Sequence, residues 1–251
     1  RMKIVGIIPS RYNSSRFPGK PLADILGYPM IYRVYQQAIK VKELDEIYVA
    51  TDDSRIEDVC KSYNIPVIMT STNHTNGTER LCEASKSVEA DIYVTIQGDE
   101  PLLEPKTISK AIETLISSEE EVGCATLKIP HSNPVDVINS TTPKVVNDLK
   151  NNVLLFTRSP IPYPKGALNY VIWKPIGVYA FRKDTLLKYN KLEKGPIEKA
   201  EEIELLRFLE NGIKNIILTL GEKGCVYFDK NNDVYIKPKS ASTVVIQKVL
   251  K

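Results

Sequence analysis

No apolar run in this chain approaches the roughly 20 residues that a membrane-spanning helix needs. Its four cysteines form no CxxC pair and no metal-binding spacing, so we expect buried free thiols in a reducing cytoplasm. The formal net charge is only +3 and the basic residues are scattered, which argues against a nucleic-acid or membrane partner. No signal-peptide pattern stands before the first apolar run, and this also favours a cytoplasmic protein.

Two common catalytic signatures are missing as well. The chain contains neither the GxxxxGK[ST] pattern nor the GxGxxG pattern of well-known phosphate-binding loops. Its only histidines are His74 and His131, and neither has a serine or carboxylate nearby in a triad-like pattern. Nucleophilic catalysis based on histidine is therefore not expected.

Short apolar runs alternate with amphipathic stretches through the first half of the chain. Alternation of this kind is typical of βαβ units, and runs that are apolar on both faces indicate a sheet covered by helices on both sides. The pattern therefore predicts an α/β fold with three layers and a mostly parallel central sheet. The predicted strands are 3–8, 46–51, 66–70, 92–97 and 123–129, and the predicted helices are 29–42, 53–62, 78–88 and 105–117.

The alternation of apolar runs and amphipathic stretches ends near residue 130, where Pro, Asn, Ser and Thr become frequent. We expect one domain over residues 1–251, with a smaller β-rich insertion at about 130–185 that extends the sheet or covers its ligand-binding edge. The second half of the chain predicts strands at 144–148, 153–158, 173–182 and 214–220, helices at 198–210 and 240–250, and a hairpin at 225–237.

The first strand leads into a polar loop with three cations, Arg11, Arg16 and Lys20, and with Gly19 beside the last of them. Backbone N–H groups and cations that converge in such a loop can hold the phosphates of a nucleotide. Taken alone, the loop is also compatible with an ordinary basic surface segment.

Among the carboxylates, Asp99 is the strongest single candidate for a metal ligand. It follows the apolar strand 92–97, and Gly98 lets the backbone approach a ligand closely. Because Mg²⁺ is usually held by one or two carboxylates together with phosphate oxygens, a carboxylate opposite a phosphate loop predicts a magnesium ligand. The alternatives are a helix N-cap or a salt bridge to a loop arginine, and we expect a structural role for Glu100.

The segment Asn76-Gly77-Thr78-Glu79-Arg80 follows the third strand and precedes a helix. Its backbone and Arg80 could recognise a base or a sugar hydroxyl. Thr78 could equally be a simple helix N-cap, and the residues alone do not decide between these two possibilities.

Together these residues resemble the 3-deoxy-manno-octulosonate (Kdo) cytidylyltransferase family over roughly residues 3–210. The resemblance implies a GT-A-like nucleotidyltransferase fold, usually dimeric, that uses CTP and Mg²⁺ to couple a sugar acid to CMP with release of pyrophosphate. The insertion would then lie on the acceptor side or at a dimer interface. The motifs are IPSRYNSSRFPGKPL (8–22), ATDD (50–53), NGTERL (76–81), IQGDEPLL (96–103), KVV (144–146) and FTRSPIPY (156–163), with looser matches at 177–182 and 196–207.

The resemblance also implies roles for single residues. Asp99 would hold Mg²⁺, Gln97 would contact the acceptor, and Lys20 and Arg16 would offset charge at the α-phosphate as catalytic residues. The triphosphate would be held by Ser10, Arg11, Ser14, Arg16 and Lys20, and the cytidine would be recognised by Asn76, Gly77 and Arg80.

The departures from the family pattern fall on the acceptor side. The family usually has a histidine just before the strand that corresponds to 177–182, where this chain has Pro175-Ile176. It also has a glutamine where this chain has Leu205. The C-terminal aspartate that supplies a second metal ligand in the family has no counterpart in register within 235–240, where Lys237 and Lys239 stand instead, and Asp229 and Asp233 lie in the preceding hairpin.

Three hypotheses follow from this pattern. The first is a CTP-dependent cytidylyltransferase whose acceptor is Kdo-like, modified or another small anion. The second is a nucleotide-binding homologue with little transferase activity. The third is a glycosyltransferase on a similar fold, which the triphosphate-like loop disfavours.

Overall fold

The computed structural model describes residues 1–13, 17–131, 133–166 and 170–220, together with the backbone of three strands between 227 and 248. The first strand, β1 (Ile4–Ser10), is apolar on both faces: Val5 and Ile7 pack into one core cluster, whereas Ile4 and Ile8 pack into the other. Because successive side chains of a strand point to opposite faces, β1 is covered from both sides. This confirms the predicted three-layer α/β architecture.

The elements follow the predicted alternation. The first half contains β1, β2 (Asp24–Ile25), β3 (Tyr28–Pro29), α1 (Met30–Ala38), β4 (Glu46–Thr51), α2 (Ser54–Ser62), β5 (Val67–Met69), α3 (Gly77–Ala84), β6 (Ile92–Thr95), α4 (Pro105–Ser117) and β7 (Cys124–Pro130). The second half contains α5 (Pro134–Ile138), β8 (Lys144–Asn147), β9 (Val153–Thr157), β10 (Trp173–Arg182), α6 (Lys183–Lys188), α7 (Pro196–Glu201), α8 (Leu206–Glu210) and β11 (Ile216–Leu220).

The central sheet has the strand order β11-β7-β10-β6-β1-β4-β5, and β8 and β9 extend it from β10. Along this path only β10 runs antiparallel to its neighbours, so the sheet is mixed but mostly parallel. Helices α1, α2 and α4 supply buried residues to one face, and α3, α6 and α8 supply them to the other. The hairpin of β8 and β9 lies within the expected insertion and extends the main sheet.

The single helix predicted over 198–210 is wrong. The chain forms two helices there, α7 and α8, because Glu202 adopts a left-handed backbone conformation with φ of 52° and ends the first of them. The break allows Arg207 of α8 to turn back onto the Glu198 carboxylate of α7, with 2.7 Å between Nη2 and Oε1. The amphipathic pattern of 198–210 is continuous in the sequence, so it gave no indication that Arg207 pairs with Glu198.

The helix predicted over 240–250 is also wrong. Strand β14 (Thr243–Lys248) occupies that stretch and pairs antiparallel with β13 (Asn232–Lys239). The β-branched run Thr243 to Ile246 favours a strand and outweighs the weak helical spacing. The predicted hairpin is confirmed, since β12 (Tyr227–Asp229) pairs antiparallel with β13.

The structure bears on two of the sequence predictions, the free cysteines and the membrane-spanning helices. Cys60, Cys82 and Cys124 are buried free thiols, as predicted, whereas Cys225 lies outside the described residues. Burial raises the pKa of the Cys60 thiol to about 12, so it stays protonated near neutral pH. Across the described ranges, no helix combines the length and the apolar character required to cross a membrane.

A buried network of ion pairs joins Arg207 of α8 to Glu79 of α3 and Glu198 of α7. Our prediction about stability concerns this network. Arg207 is 3% exposed, contacts both Glu198 and Glu79, and stacks on the Tyr189 ring at 4.2 Å. We expect Arg207→Met to lower the free energy of unfolding by about 3–5 kcal/mol, because the buried Glu198 carboxylate would lose its counter-charge and Glu79 would keep only the Lys194 ammonium at 3.9 Å. Urea denaturation measures this loss.

The matched control for this prediction is Lys61→Met. Lys61 pairs with Glu57 one turn away, but its side chain is 61% exposed. Removing an exposed pair of this kind should change the stability by less than about 0.5 kcal/mol. Equal losses in the two variants would show that the Arg207 network does not act as a buried unit.

Candidate active site

The carboxyl ends of four parallel strands meet at one edge of the sheet. The register pairs Ser10 of β1 with Thr51 of β4, and Thr51 with Met69 of β5, while Thr95 of β6 lies beside Ile7. The loops that follow these strands therefore emerge side by side. Ligands bind at this edge in open α/β sheets, and the structure places the predicted polar segments there.

The loop after β1 is held at both ends. Gly19 has a φ of 71°, donates its backbone N–H to the Tyr12 carbonyl at 2.8 Å, and would place a Cβ 3.1 Å from the Tyr12 ring. The Arg55 guanidinium lies 3.3 Å from the centroid of that ring and pairs with the Asp53 carboxylate. These contacts fix the position from which Lys20 extends.

The other residues predicted to hold the triphosphate differ in how exposed they are and in whether the structure describes them. Arg11 is exposed beside the edge, whereas Ser10 is buried at the end of β1. Ser14 and Arg16 lie outside the described residues. The roles assigned to all of them remain predictions.

Lys20 and Asp99 form an ion pair that joins the loop after β1 to the turn after β6. The distance from Nζ to Oδ2 is 2.7 Å, and the side chains are 38% and 50% exposed. A salt bridge of Asp99 to a loop arginine was one alternative to metal binding, and the partner observed here is a lysine. Both charged groups stay open to solvent, so both are accessible to a charged ligand.

The turn that carries Asp99 packs tightly against β1. A Cβ on Gly98 would lie 2.9 Å from Ser10 Oγ and 3.0 Å from the Pro9 carbonyl oxygen, so only glycine allows this approach. The Glu100 backbone N–H donates to the Gln97 carbonyl at 3.3 Å and closes the turn. Among the described atoms Ser10 Oγ is buried without a hydrogen-bond partner, which makes it a free polar group at the edge.

Asp99 suits a magnesium ion that also binds phosphate oxygens. It offers a half-exposed carboxylate at the open edge, and such an ion needs only one or two protein carboxylates. Glu100 is less suitable, because burial, together with the negative charge of Asp99, raises the pKa of its carboxyl. No cluster of three or more His, Cys, Asp or Glu side chains that could hold a metal occurs among the described residues.

In the family, a second metal-ligand aspartate comes from the C-terminal segment that corresponds to 235–240. The side chains of Lys237, Lys239, Asp229 and Asp233 lie outside the described part of the chain. The prediction that a cation replaces a carboxylate there stays a prediction.

The Asn76–Arg80 segment begins α3 beside Pro9. Asn76, and not Thr78, caps the helix, since its Oδ1 accepts the Glu79 N–H at 2.9 Å. Its Nδ2 donates to the Tyr189 hydroxyl at 3.1 Å. Gly77 lies against the Pro9 ring, where a Cβ would come within 3.3 Å of Cγ. The turn is therefore held from both sides next to the loop after β1.

Arg80 is buried under the same edge. Its guanidinium donates to the Asp52 carboxylate at 2.9 Å and to the Thr70 hydroxyl, at the ends of β4 and β5. The sequence predicted neither of these contacts with Arg80, although Asp52 belongs to the ATDD motif. The structure thus brings Arg80 to the site in contact with residues that themselves line the edge.

One carboxyl group beside the Asn76–Arg80 segment was given no role from the sequence. A Glu204 side-chain oxygen accepts the Thr78 N–H at 2.9 Å, and burial raises the pKa of its carboxyl. The sequence signal for Glu204 was the loosely matching segment 196–207, in which Glu204-Leu205-Leu206-Arg207 stands for the family's Glu-Gln-Leu-Arg. Gln97, predicted to contact the acceptor, lies against Gly177 of β10.

Fold and site together define a nucleotide-handling α/β enzyme, and comparison with known proteins identifies its family. A family model described as cytidylyltransferase matches residues 5–217. The chain belongs to this cytidylyltransferase family.

Individual relatives narrow the class further. The chain is 41% identical to the 3-deoxy-manno-octulosonate cytidylyltransferase of Escherichia coli, covering 84% of this chain and 85% of that protein. It is 42% identical to the enzyme of the same name from Parabacteroides distasonis, covering 93% and 96%. A solved structure of CMP:2-keto-3-deoxy-manno-octonic acid synthetase complexed with CTP superposes with a TM-score of 0.82 at 41% identity, covering 87% of this chain and 89% of that one.

These findings confirm the resemblance drawn from the motifs, the nucleotidyltransferase fold and the enzyme class, a CTP-dependent cytidylyltransferase. The glycosyltransferase hypothesis is not supported by them.

Proposed function

We propose that this protein transfers CMP from CTP to the hydroxyl of a sugar acid of the 3-deoxy-manno-octulosonate type and releases pyrophosphate. The observation that carries the proposal is the Lys20–Asp99 pair, which brings a cation and a carboxylate from two different loops to the carboxyl edge of the sheet. The similarity to a synthetase crystallised with CTP supports the choice of nucleotide.

The reaction needs positioning and charge neutralisation more than covalent chemistry by the protein. The acceptor oxygen attacks the α-phosphorus, the bond to the bridging oxygen of the β-phosphate breaks, and the hydroxyl proton passes to solvent. Lys20 offsets the negative charge that builds up at the α-phosphate. Arg11, Ser10, Ser14 and Arg16 hold the triphosphate along the loop.

Asp99 is the residue that would hold Mg²⁺. When bound, the ion would neutralise phosphate charge and lower the pKa of the acceptor hydroxyl. Because Lys20 contacts the same carboxylate, the Lys20 ammonium and the metal site lie side by side. Lys20 and Asp99 would therefore act at the same place, the first on the phosphates of CTP and the second on Mg²⁺.

Base and acceptor recognition complete the proposal. Asn76, Gly77 and Arg80 recognise the cytidine, with Arg80 held in place by Asp52. Gln97 contacts the acceptor from the turn next to Asp99. The acceptor is anionic, so the surplus of cations over carboxylates in the loop after β1 also favours its approach.

We also propose that the protein is a homodimer and works in the cytoplasm, where CTP is available. Large apolar side chains are exposed in the insertion, including Val135 (64%), Ile138 (72%) and Leu154 (60%). Val135 and Ile138 stand three residues apart on α5 and so share one face of that helix, and a contiguous apolar patch is typical of a contact surface between subunits. Light scattering on the purified protein tests the dimer.

Pyrophosphate release tests the proposed reaction. We would assay each nucleoside triphosphate alone and with a panel of sugar acids in the presence of Mg²⁺. Release that requires both CTP and a 3-deoxy sugar acid is the expected result. No release with any acceptor, despite measurable CTP binding, would favour the nucleotide-binding homologue. A glycosyltransferase would also release no pyrophosphate, and a separate assay would show it by turnover of nucleotide sugars.

A further inference from the structure

Strand β10 carries a bulge close to the ligand-binding edge. Its register with β7 pairs Ile176 with Leu127 and then resumes with Ala180 opposite Ala125. Residues 177–179 of β10 therefore face the single residue Thr126 of β7. A bulge of this kind removes regular ladder hydrogen bonds and re-aims the residues that form it.

The Thr126 side chain supplies a hydrogen bond to the bulge. Its hydroxyl lies 2.9 Å from the Val178 carbonyl oxygen and 3.1 Å from that of Ile176, in position to donate to either. Thr126 is fully buried, and Ile176 and Val178 are buried as well. A buried hydrogen bond of this kind contributes about 0.5–1.5 kcal/mol, so the Thr126 hydroxyl favours the bulged conformation.

The bulge presents a glycine to Gln97. A Cβ on Gly177 would lie 2.7 Å from Gln97 Cγ and 3.1 Å from its Nε2, so the Gln97 side chain packs directly on the β10 backbone. Any shift of the bulge moves the surface on which the Gln97 carboxamide rests. The position of Gln97 thus depends on the geometry that Thr126 maintains.

We infer that Thr126 is a positioning residue for the acceptor: its hydroxyl fixes the β10 bulge, the bulge places Gly177 against Gln97, and Gln97 orients the sugar acid. The inference rests on the proposed function, in which Gln97 contacts the acceptor. Thr126 acts through the backbone of β10 and is too deeply buried to touch the acceptor itself.

Thr126→Val tests this, because valine keeps the shape of threonine and removes only the hydroxyl. We expect the acceptor KM to rise about tenfold while the KM for CTP changes less than about twofold. Thr126→Ser restores the hydroxyl and should return the acceptor KM to within about twofold of the wild-type value. If Thr126→Val does not fold, Gly177→Ala is the second variant, and it should show the same selective rise by displacing Gln97.

The matched control is Thr95→Val. Thr95 is a fully buried threonine of the neighbouring strand β6, and among the described atoms its hydroxyl has no hydrogen-bond partner. We expect both KM values of this variant to stay within about twofold of wild type.

Three outcomes would overturn the inference: equal rises in both KM values, unchanged values in Thr126→Val and Gly177→Ala, or no rescue by serine. A failure of the proposed function itself would be seen separately, as a wild-type protein without CMP transfer.

Discussion

Lys20→Met is expected to lower kcat/KM for CMP transfer by roughly a thousandfold. Methionine keeps the length of the side chain but removes the charge that faces the reacting phosphates, and the loss of one such electrostatic contact typically costs a factor of about 10²–10³. The effect should appear mainly in kcat, because charge builds up at the α-phosphate in the transition state. Steady-state kinetics with CTP and a 3-deoxy sugar acid measure it.

The fold should tolerate this substitution. The Lys20–Asp99 pair is partly exposed on both sides, and exposed pairs contribute about 0–1 kcal/mol to stability. Thermal unfolding of Lys20→Met should therefore match that of the wild type. Lys61→Met, which also removes a lysine paired with a carboxylate, serves as the control and should keep full activity. A loss of less than tenfold in Lys20→Met would contradict a catalytic role for Lys20.

Asp99→Asn has the second large expected effect, a loss of transfer by about three orders of magnitude or more. The substitution keeps the shape of the side chain and removes the negative charge that attracts a metal ion. We further expect the residual activity to require a much higher Mg²⁺ concentration for half-maximal rate. A magnesium titration of the steady-state rate measures both changes.

The neighbouring carboxyl provides the control for that experiment. Glu100 lies beside Asp99, but burial raises the pKa of its carboxyl. A neutral side chain is therefore tolerated better at position 100 than at the exposed position 99. Glu100→Gln should lower the rate by less than about tenfold and leave the magnesium requirement unchanged. Retained turnover in Asp99→Asn, or a shifted magnesium requirement in Glu100→Gln, would move the metal site away from Asp99.

The central part of the fold was predictable because its strands are apolar on both faces. Runs such as β1 and β6 have no polar face, and this pattern allows only a sheet covered on both sides. The edge that gathers Lys20, Asp99 and Asn76 followed from the rule that parallel strands end together. These conclusions depend on local pattern and on topology, which a sequence displays directly.

What escaped prediction depends on contacts between distant residues. The break at Glu202 lets Arg207 meet Glu198 and Glu79, and Glu79 lies more than 120 positions away along the chain. Arg80 was selected from a motif, but its burial against Asp52 required the packed strands. The bulge in β10 depends on a threonine hydroxyl from another strand. None of these has a local sequence pattern.

The most direct test of the proposed chemistry is ³¹P NMR of a reaction that contains the protein, CTP, Mg²⁺ and a 3-deoxy sugar acid. The account predicts that the triphosphate signals are replaced by a phosphodiester signal of a CMP-sugar and by a pyrophosphate signal in equal molar amounts. Formation of CDP and inorganic phosphate, or intact CTP after prolonged incubation, would contradict it.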